Sequence, residues 1–166
     1  MTPDPQLYKD VLSRFASGVT VVTTHSDGKP HGLTVSAFCS VSLDPPRVLV
    51  CLDNGTDSLP RIERAGCFAV HILGEDHARL ALRFAKMLPD VTDPFDGLSY
   101  TSGATGSPLL SRCLGWLDCT VDGAHVVGDH TVVFGAVQAL AVGEPGKPVL
   151  YCDRAFRTLA AEPLMP

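Results

Sequence analysis

Short runs of apolar residues separated by turn residues recur along the chain and predict strands. Residues 19–24 are all β-branched and are followed by a turn-forming run, so residues 31–43 are expected to return as a hairpin partner. Prolines at positions 45 and 46 interrupt that pattern, and the apolar run after them predicts a fully buried strand over 47–53. Further strands are predicted over 67–73, around 117–121, from 132 onward and over 149–152.

Apolar residues that recur every three or four positions predict short helices between these strands. The first covers residues 6–17, and residues 58–65 and 76–86 show the same kind of pattern. The chain is expected to finish with a short helix over 155–161. Residues 87–107 are rich in Pro and Gly and predict a long loop with one short strand, and loops of this length are often functional.

Strands outnumber helices and follow one another through short turns. No alternation of strand and helix with a G-x-G-x-x-G turn occurs, which argues against a doubly wound dinucleotide fold. The pattern predicts a mainly β protein, with a closed or nearly closed antiparallel barrel and a few short helices.

Composition narrows the class of protein. A chain of 166 residues, 45% hydrophobic and 19% charged, suits one globular domain over residues 1–166. The net charge of -5 leaves no broad basic face for nucleic acid. No apolar run reaches the about 20 residues of a membrane span, and the N-terminus lacks a signal pattern, so a soluble cytoplasmic protein is expected. The 6 cysteines contain no C-x-x-C pair and lie mostly in apolar runs, which predicts buried free thiols.

Side chains that act as catalysts form no specific pattern. Serine, histidine and aspartate are numerous enough for chance pairing, and no G-x-S-x-G motif occurs. His25 and His31 flank one turn but lack the spacing of a metal motif, and exposed turn histidines explain them more simply. Neither nucleophilic nor metal-dependent catalysis is therefore predicted.

Small hydroxyl residues alternate along the expected hairpin return. Thr34, Ser36, Ser40 and Ser42 lie at even positions and share one face of a strand unless a bulge intervenes. Such a row offers hydroxyl groups and backbone amides to a flat polar ligand. A solvent-facing strand explains the same spacing, so both interpretations stay open.

Three further segments carry groups that bind anions in proteins. The polar segment 53–58 ends a strand and opens a helix, whose first amide groups hold either a side-chain cap or a phosphate. The segment 83–86 places two cations at a helix end, where they also favour the helix dipole without any ligand. The Gly-Asp-His turn at 128–130 enters a strand, and a solvated histidine is the simpler interpretation.

Several motifs occur in one order: F-x-x-G-V-T-V-V-T-T at 15–24, G-L-T-V-S-A-F at 32–38, S-V-S-L-D-P-P at 40–46, G-D-H at 128–130 and L-Y at 150–151. Together they resemble the short-chain flavin reductases, the reductase components of two-component flavin monooxygenases. The resemblance implies an FMN-binding split β-barrel, an antiparallel Greek-key barrel that forms a homodimer. It also implies hydride transfer from NADH or NADPH to FMN or FAD, with reduced flavin passing to a separate monooxygenase. Neither a catalytic side chain nor a metal is implied, because the cofactors supply the reacting atoms.

The resemblance also assigns cofactor contacts, position by position. The isoalloxazine ring is expected against Thr34, Val35, Ser36 and Ala37, with Ser40 and Ser42 at its polar edge and Cys51, Leu52 and Asp53 beneath the ribityl chain. The flavin phosphate is expected near Ser58, Arg83, Phe84 and Lys86, the nicotinamide nucleotide at His130, and Phe156 close to the flavin.

Two departures from the family pattern stand out. Asp57 puts a negative charge beside the phosphate region, and the run from Arg154 to Phe156 replaces the usual glycine and tyrosine spacing. NADH is favoured over NADPH, because no Arg or Lys cluster adjoins His130 to hold a 2′-phosphate. Two alternatives stay open: a split-barrel flavoprotein with tightly bound FMN, similar to pyridoxamine phosphate oxidases or ferric reductases, and a non-catalytic flavin- or haem-binding module. The Gly-Asp-His motif favours the reductase.

Overall fold

The computed structural model describes residues 3–160 and consists mainly of antiparallel strands with short helices. The helices are α1 (Pro5–Leu12), α2 (Ser58–Ala65) and α3 (Ala78–Phe84), with a 3-10 turn at Glu75–His77 before α3. The strands are β1 (Ser17–Gly18), β2 (Thr20–Ser26), β3 (Lys29–Val35), β4 (Phe38–Leu43), β5 (Pro46–Asp53), β6 (Cys67–Ile72), β7 (Tyr100–Ser102), β8 (Pro108–Leu110), β9 (Gly115–Val127), β10 (His130–Val142), β11 (Val149–Cys152) and β12 (Ala155–Thr158). Across residues 3–160, no helix is long and apolar enough to cross a membrane.

Seven strands form one antiparallel sheet in the order β3-β2-β6-β9-β10-β5-β4. Its two edge strands, β3 and β4, are consecutive in the chain and are joined only by Ser36 and Ala37. A sheet whose first and last strands are joined by two residues curves back on itself, as in a barrel. The predicted mainly β, antiparallel barrel is therefore confirmed. Strands β1, β11 and β12 form a second sheet, and β7 pairs with β8.

Two hydrophobic clusters lie on opposite sides of β2. The inner cluster fills the barrel, and Leu59 and Ile62 of α2 belong to it. Its other members are Val22, Val35, Val48, Val50, Leu52, Phe68, Val70, Cys119 and Val133. The outer cluster lies under α3 and the loop that follows it: Val19, Val21, Leu73, Ala81, Phe84, Phe95, Leu110 and Val149. Strand β2 contributes to both clusters because successive strand residues point to opposite faces.

His71 lies fully buried on β6 and is satisfied at both ring nitrogens. Its Nδ1 lies 3.0 Å from the Val21 carbonyl, and the Leu110 N–H donates to its Nε2 at 3.1 Å. The ring hydrogen is therefore on Nδ1, because Nε2 must accept. Burial lowers the pKa of His71 to about 4, so this histidine is a neutral structural residue at neutral pH.

Two predicted strands and the predicted last helix differ from the structure. The expected return over 31–43 is two strands, β3 and β4, because the chain leaves the sheet at Ser36 and Ala37. The expected fully buried strand β5 is buried on one face only, with alternate residues partly exposed. The expected helix over 155–161 is strand β12, and residue 161 lies outside the described residues. Pairing with β11 along the whole strand outweighs the local helical pattern.

The first helix is shorter than predicted and packs differently. It ends at Leu12, and none of its residues is buried. Leu7, Val11 and Phe15, which define the apolar face, are 61%, 61% and 78% exposed. The second helix covers 58–65 as predicted, and the third is a 3-10 turn followed by α3. The amphipathic pattern of α1 is thus real, but the apolar face lies at the surface.

All six cysteines are free thiols. Cys67, Cys113 and Cys119 are buried, whereas Cys39 is exposed and the other two are partly exposed, so burial is less general than the sequence predicts. Burial raises the pKa of Cys119 to about 12. Over the described residues, no group of three His, Cys, Asp or Glu side chains is placed to hold a metal ion.

Candidate functional site

The break between β3 and β4 opens onto a groove of about 650 Å³. The outer face of β4 and β5 forms its floor, and α1 and the turn between β11 and β12 form its wall. The lining residues are Lys9, Leu12, Ser13, Phe15, Ser17, Ser36, Ala37, Phe38, Cys39, Leu49, Cys51, Tyr151 and Arg154. Small side chains predominate on the floor near the break, which leaves it open to a flat ligand.

Strand β5 separates the groove from the barrel core. Val50 and Leu52 are buried inside the barrel, while Leu49 and Cys51 on the opposite face line the groove. Asp53 continues this outer row, because residues two apart in a strand share a face and lie about 7 Å apart. The outer row therefore leads from the groove to the end of β5, just before α2.

Ser36 and Ala37 present backbone groups at the groove. The Cys51 N–H donates to the Ala37 carbonyl at 3.0 Å, while the N–H groups of Ser36 and Ala37 have no acceptor among residues 3–160. Two such donors beside a flat floor suit the carbonyl edge of a planar ligand. Of the predicted contacts, Ser36, Ala37 and Cys51 are thus brought together at the groove.

The other members of the predicted hydroxyl row point elsewhere. The Thr34 hydroxyl donates to the Ala81 carbonyl at 2.6 Å and holds β3 against α3. Ser40 and Ser42 lie on either side of a register shift between β4 and β5, and neither lines the groove. The four hydroxyls do not share one face, because the chain breaks after β3 and the bulge that would interrupt the row is present within β4.

Three predicted contacts have their side chains in the core. Val35, Leu52 and Phe84 are 5%, 1% and 2% exposed. The Phe84 ring packs edge-on against Phe95 with centroids 5.1 Å apart, and a Cβ added to Gly32 would lie 2.7 Å from it. Strand alternation and α3 packing direct these three side chains inward, away from a ligand on the outer surface.

The end of β5 forms a compact polar turn before α2. The Asp53 carboxylate accepts from the Gly55 N–H at 2.7 Å, and the Thr56 hydroxyl donates to the Asp53 carbonyl at 2.9 Å. Asp57 makes no capping hydrogen bond to α2. The first-turn N–H groups of α2, from Ser58 onward, therefore lack a side-chain cap, and such groups favour an anion.

The Gly-Asp-His turn lies against this region. The Asn54 N–H donates to the Asp129 carbonyl at 3.0 Å, the Thr131 hydroxyl donates to the Asn54 side chain at 2.7 Å, and His130 pairs with Asp53 across the sheet. His130 Nδ1 lies 2.8 Å from the Asp129 carboxylate, and this hydrogen bond lowers the pKa of Asp129. The segments 53–58 and 128–130 are therefore neighbours.

The two predicted cations of α3 have different surroundings. Lys86 Nζ lies 3.8 Å from the Asp57 carboxylate, beside the start of α2. Arg83 instead donates to the backbone carbonyls of Asp93 and Asp96. Arg83 therefore holds the loop after α3, and of the two cations only Lys86 lies where the phosphate is expected.

The aromatic residue on the β11–β12 side of the groove is not the predicted one. Tyr151 and Phe156 lie opposite each other with ring centroids 6.0 Å apart. Tyr151 lines the groove, whereas Phe156 packs on the outer cluster and lines a separate depression with Glu75 and Asp76.

Sequence reasoning missed most of the groove wall. Lys9, Phe15, Tyr151 and Arg154 come from the two ends of the described chain and meet only in the fold. Arg154 carried one local signal, since it occupies a two-residue turn between two apolar runs. The predicted helix over 155–161 obscured that turn.

The residues present fit a flavin. Ligand sites commonly have volumes of about 300–1,000 Å³ with apolar walls and few polar groups, and the groove is of this kind. The N–H groups of Ser36 and Ala37 suit the carbonyl edge of the ring system. The outer row of β5 leads on to Lys86 and the start of α2, where backbone N–H groups and a cation suit a phosphate.

Comparison with known proteins bears on the same residues. Residues 12–160 match the flavin reductase like domain. The chain is 40% identical over 162 residues to the actinorhodin polyketide dimerase of Streptomyces coelicolor, covering 97% of this chain and 90% of that protein. It is 35% identical over 163 residues to the reductase subunit HsaB of a flavin-dependent monooxygenase of Rhodococcus jostii, covering 98% and 82%.

Solved structures give the same result. Nitrilotriacetate monooxygenase component B from Mycobacterium thermoresistibile superposes with a TM-score of 0.90 at 35% identity, covering 97% of this chain and 89% of that one. The NADH:FAD oxidoreductase SgcE6 of Streptomyces globisporus C-1027 superposes with a TM-score of 0.87 at 31% identity, covering 98% and 99%. The chain therefore belongs to the flavin reductase-like family.

Proposed function

We propose that this protein is an NADH-dependent flavin reductase, which transfers hydride from NADH to FMN or FAD and supplies reduced flavin to a separate monooxygenase. The observation that carries the proposal is one continuous surface. The groove is lined by Ser36, Ala37 and Cys51, the outer row of β5 runs on from Cys51 to Asp53, and the uncapped start of α2 follows a few residues later with Lys86 beside it. The floor of the groove suits the ring of a flavin, and the start of α2 suits its phosphate. Strand β5 runs between them, as the ribityl chain runs between the ring and the phosphate. The relatives HsaB, a monooxygenase reductase subunit, and SgcE6, an NADH:FAD oxidoreductase, support the same activity.

The chain's own task is to bind and orient two cofactors. When bound, the flavin supplies the hydride acceptor and NADH the donor, so no side chain has to act as an acid, base or nucleophile. The N–H groups of Ser36 and Ala37 stabilise the negative charge that builds up at the ring edge on reduction. Leu49 keeps water from the floor, and the small side chain of Cys51 leaves room for the ring.

The phosphate end and the nucleotide end lie on either side of Asp53. Lys86 and the first-turn N–H groups of α2 hold the flavin phosphate, while the nearby carboxylate of Asp57 weakens that site. His130, opposite Asp53, contacts the nicotinamide nucleotide. His130→Ala is then expected to raise the KM for NADH more than it changes flavin affinity, and equal losses in both would contradict this role.

We further propose that the protein is a single-domain homodimer in the cytoplasm. The exposed apolar side chains of Leu7 and Val11 on α1, and of Phe15 just after it, need a partner surface, and a second copy provides one. Six free thiols fit a reducing compartment.

An activity assay tests the proposal directly. Purified protein with NADH and free FMN or FAD is expected to oxidise NADH, followed by its near-ultraviolet absorbance, only when flavin is present. No flavin-dependent loss of NADH would overturn the reductase. A yellow chromophore retained through desalting would instead indicate a flavoprotein with tightly bound FMN.

A variant of the groove floor ties the activity to this site. Cys51→Phe places a large side chain on the floor of the groove. It is expected to raise the KM for flavin by about tenfold or more, because that side chain occupies the space of the ring. Cys51→Ser has nearly the same volume and serves as the control, with a change of at most about twofold. Equal KM values for both variants would mean that the flavin binds elsewhere.

A further inference from the structure

The turn between β11 and β12 contains two non-glycine residues in the left-handed region of the backbone. Asp153 has φ 50° and Arg154 has φ 59°. This conformation is unfavourable for residues with a Cβ, and two-residue hairpin turns of this kind usually carry glycine. An arginine here points to a use for its side chain.

The guanidinium of Arg154 lies at the wall of the groove and contacts the Asp10 carboxylate of α1. Hydrogen bonding from Arg154 lowers the pKa of Asp10. The same turn has other ties to the end of α1, since the Asp153 N–H donates to the Ser13 carbonyl at 2.7 Å and Arg14 lies 3.5 Å from the Asp153 carboxylate. The turn and the helix are therefore joined without depending on Arg154 alone.

Cations line the groove of this acidic protein, and one of them, Arg154, is paired with the Asp10 carboxylate. Its charged lining residues, within the described chain, are Lys9 and Arg154, and both are cations. The whole chain has a net charge of -5, so overall composition does not account for this pair. Lys9 comes from α1 and Arg154 from the turn between β11 and β12, and both line the same groove as Ser36 and Ala37. A flavin in that groove would share it with both cations.

We infer that Arg154 binds the pyrophosphate of the nicotinamide dinucleotide and thereby determines its KM, with Asp10 competing for the same guanidinium. This inference rests on the proposed function, because hydride transfer requires the nicotinamide to stack on the free face of the ring. Once the nicotinamide is there, its two phosphates need a cation on the wall of the groove. A guanidinium binds phosphate oxygens through paired N–H groups, which a lysine does not do.

A purely structural role for Arg154 predicts a different pattern of KM changes in two variants than a role in binding the dinucleotide does. If Arg154 only fastens α1, then Arg154→Gly and Asp10→Asn break the same contact and shift the KM for NADH in the same direction. If Arg154 binds the dinucleotide, Arg154→Gly removes the cation and raises the KM. Asp10→Asn then frees the cation and lowers the KM.

The experiment measures the KM for NADH at saturating flavin and the Kd of NADH without flavin, from NADH fluorescence. Arg154→Gly is expected to raise both about tenfold with kcat changed at most about twofold, since glycine accepts this backbone and only the cation is lost. Asp10→Asn is expected to lower both about two- to threefold. Arg14→Ala is the matched control, because it removes an equal charge beside the same turn but outside the groove. It is expected to leave both values within about twofold.

Each outcome decides the inference. Equal values for the Arg154 and Arg14 variants, or a rise in both the Arg154 and Asp10 variants, overturns it. Wild-type protein that binds NADH but reduces no flavin overturns the proposed function, and the Kd values still decide the role of Arg154. Should Arg154→Gly fail to fold, Arg154→Lys keeps the charge without the paired N–H groups, and a KM between wild type and tenfold is expected.

Discussion

Helices α1 and α2 are each eight residues long and amphipathic, yet only α2 packs into the core of its own chain. α2 buries Leu59 and Ile62, whereas α1 buries none of its residues. Polar contacts of Asp10 and Ser13 hold α1 to the turn after β11. The comparison teaches that an amphipathic pattern identifies the apolar face of a helix but not the surface that covers it. One helix is part of the fold, and the other is a wall of the groove.

The largest expected difference is in how much a substitution in each helix lowers the free energy of unfolding. Ile62→Ala is expected to lower the free energy of unfolding by about 2–5 kcal/mol, because it leaves a cavity in the barrel core. Val11→Ala is expected to cost less than about 0.5 kcal/mol in the monomer, since its side chain is exposed. Urea unfolding at low protein concentration measures both. Similar losses would mean that α1 is packed within its own chain.

Acid is expected to weaken the core before it weakens the α1 contact. The pKa of His71 falls from 6.5 in the unfolded chain to about 4 in the fold, so on acidification the unfolded state binds the proton first. The neutral His71 ring contributes roughly 3 kcal/mol to the free energy of unfolding. This contribution is complete above about pH 6.5 and is lost as the pH falls toward 4. The lowered pKa of Asp10 keeps its contact with Arg154 charged over that window.

Urea unfolding between pH 7 and pH 4 measures this loss. His71→Gln cannot titrate and is expected to show a smaller decrease across the same range than the wild type. Parallel pH profiles for the two proteins would contradict the assignment to His71.

Association is expected to depend on α1 and not on the exposed side of α2. Val11→Ser places a hydroxyl on the apolar face and is expected to weaken the dimer about tenfold, because that face then loses apolar contact. Glu63→Ser on the exposed side of α2 is the control and should leave the dimer unchanged. Sedimentation velocity over a concentration series measures both. A dimer of unchanged stability in Val11→Ser would place the interface elsewhere.

The smallest expected effect is at the start of α2. Asp57→Asn removes the carboxylate 3.8 Å from Lys86 and is expected to tighten flavin binding about two- to threefold, because a like charge no longer faces the phosphate. High salt should abolish the gain by screening. Asp90→Asn, on a carboxylate 3.7 Å from Arg79, is the control. Flavin quenching titrations measure the affinities, and weaker binding in Asp57→Asn would overturn the phosphate assignment.

Much of the fold was predictable because its signals are local. The β-branched run in β2, the prolines at the start of β5 and the periodic positions of α2 each specify an element from within a few residues. β12 was not predictable in this way, because its four residues become a strand only by pairing with β11. The break at Ser36 and Ala37 was missed for a similar reason, since β3 and β4 are separated by their different partners, β2 and β5.

The candidate site was predictable where it follows one strand. Cys51 and Asp53 lie two residues apart on the outer face of β5, so motif and periodicity agree on them. The motif alone also assigns Leu52, which lies between them. Strand alternation directs the side chain of Leu52 into the core, so the motif does not give side-chain direction. The cofactor contact of Arg83 stays a prediction, because a helix-end cation has several partners within reach and its Nη2 group already donates to carbonyls of the following loop.

By itself, the sequence determined a mainly β chain with free thiols, short turns and an amphipathic first helix, because strand alternation, helix periodicity and turn chemistry act over a few neighbouring residues. Only the tertiary structure decided which residues share the groove. Lys9, Ser36, Cys51 and Arg154 come from separate segments, and closure of the large sheet together with the placement of α1 and of the β11–β12 turn brings them together. Side-chain direction depends on the strand or helix that packs against each residue, and no local pattern carries that information.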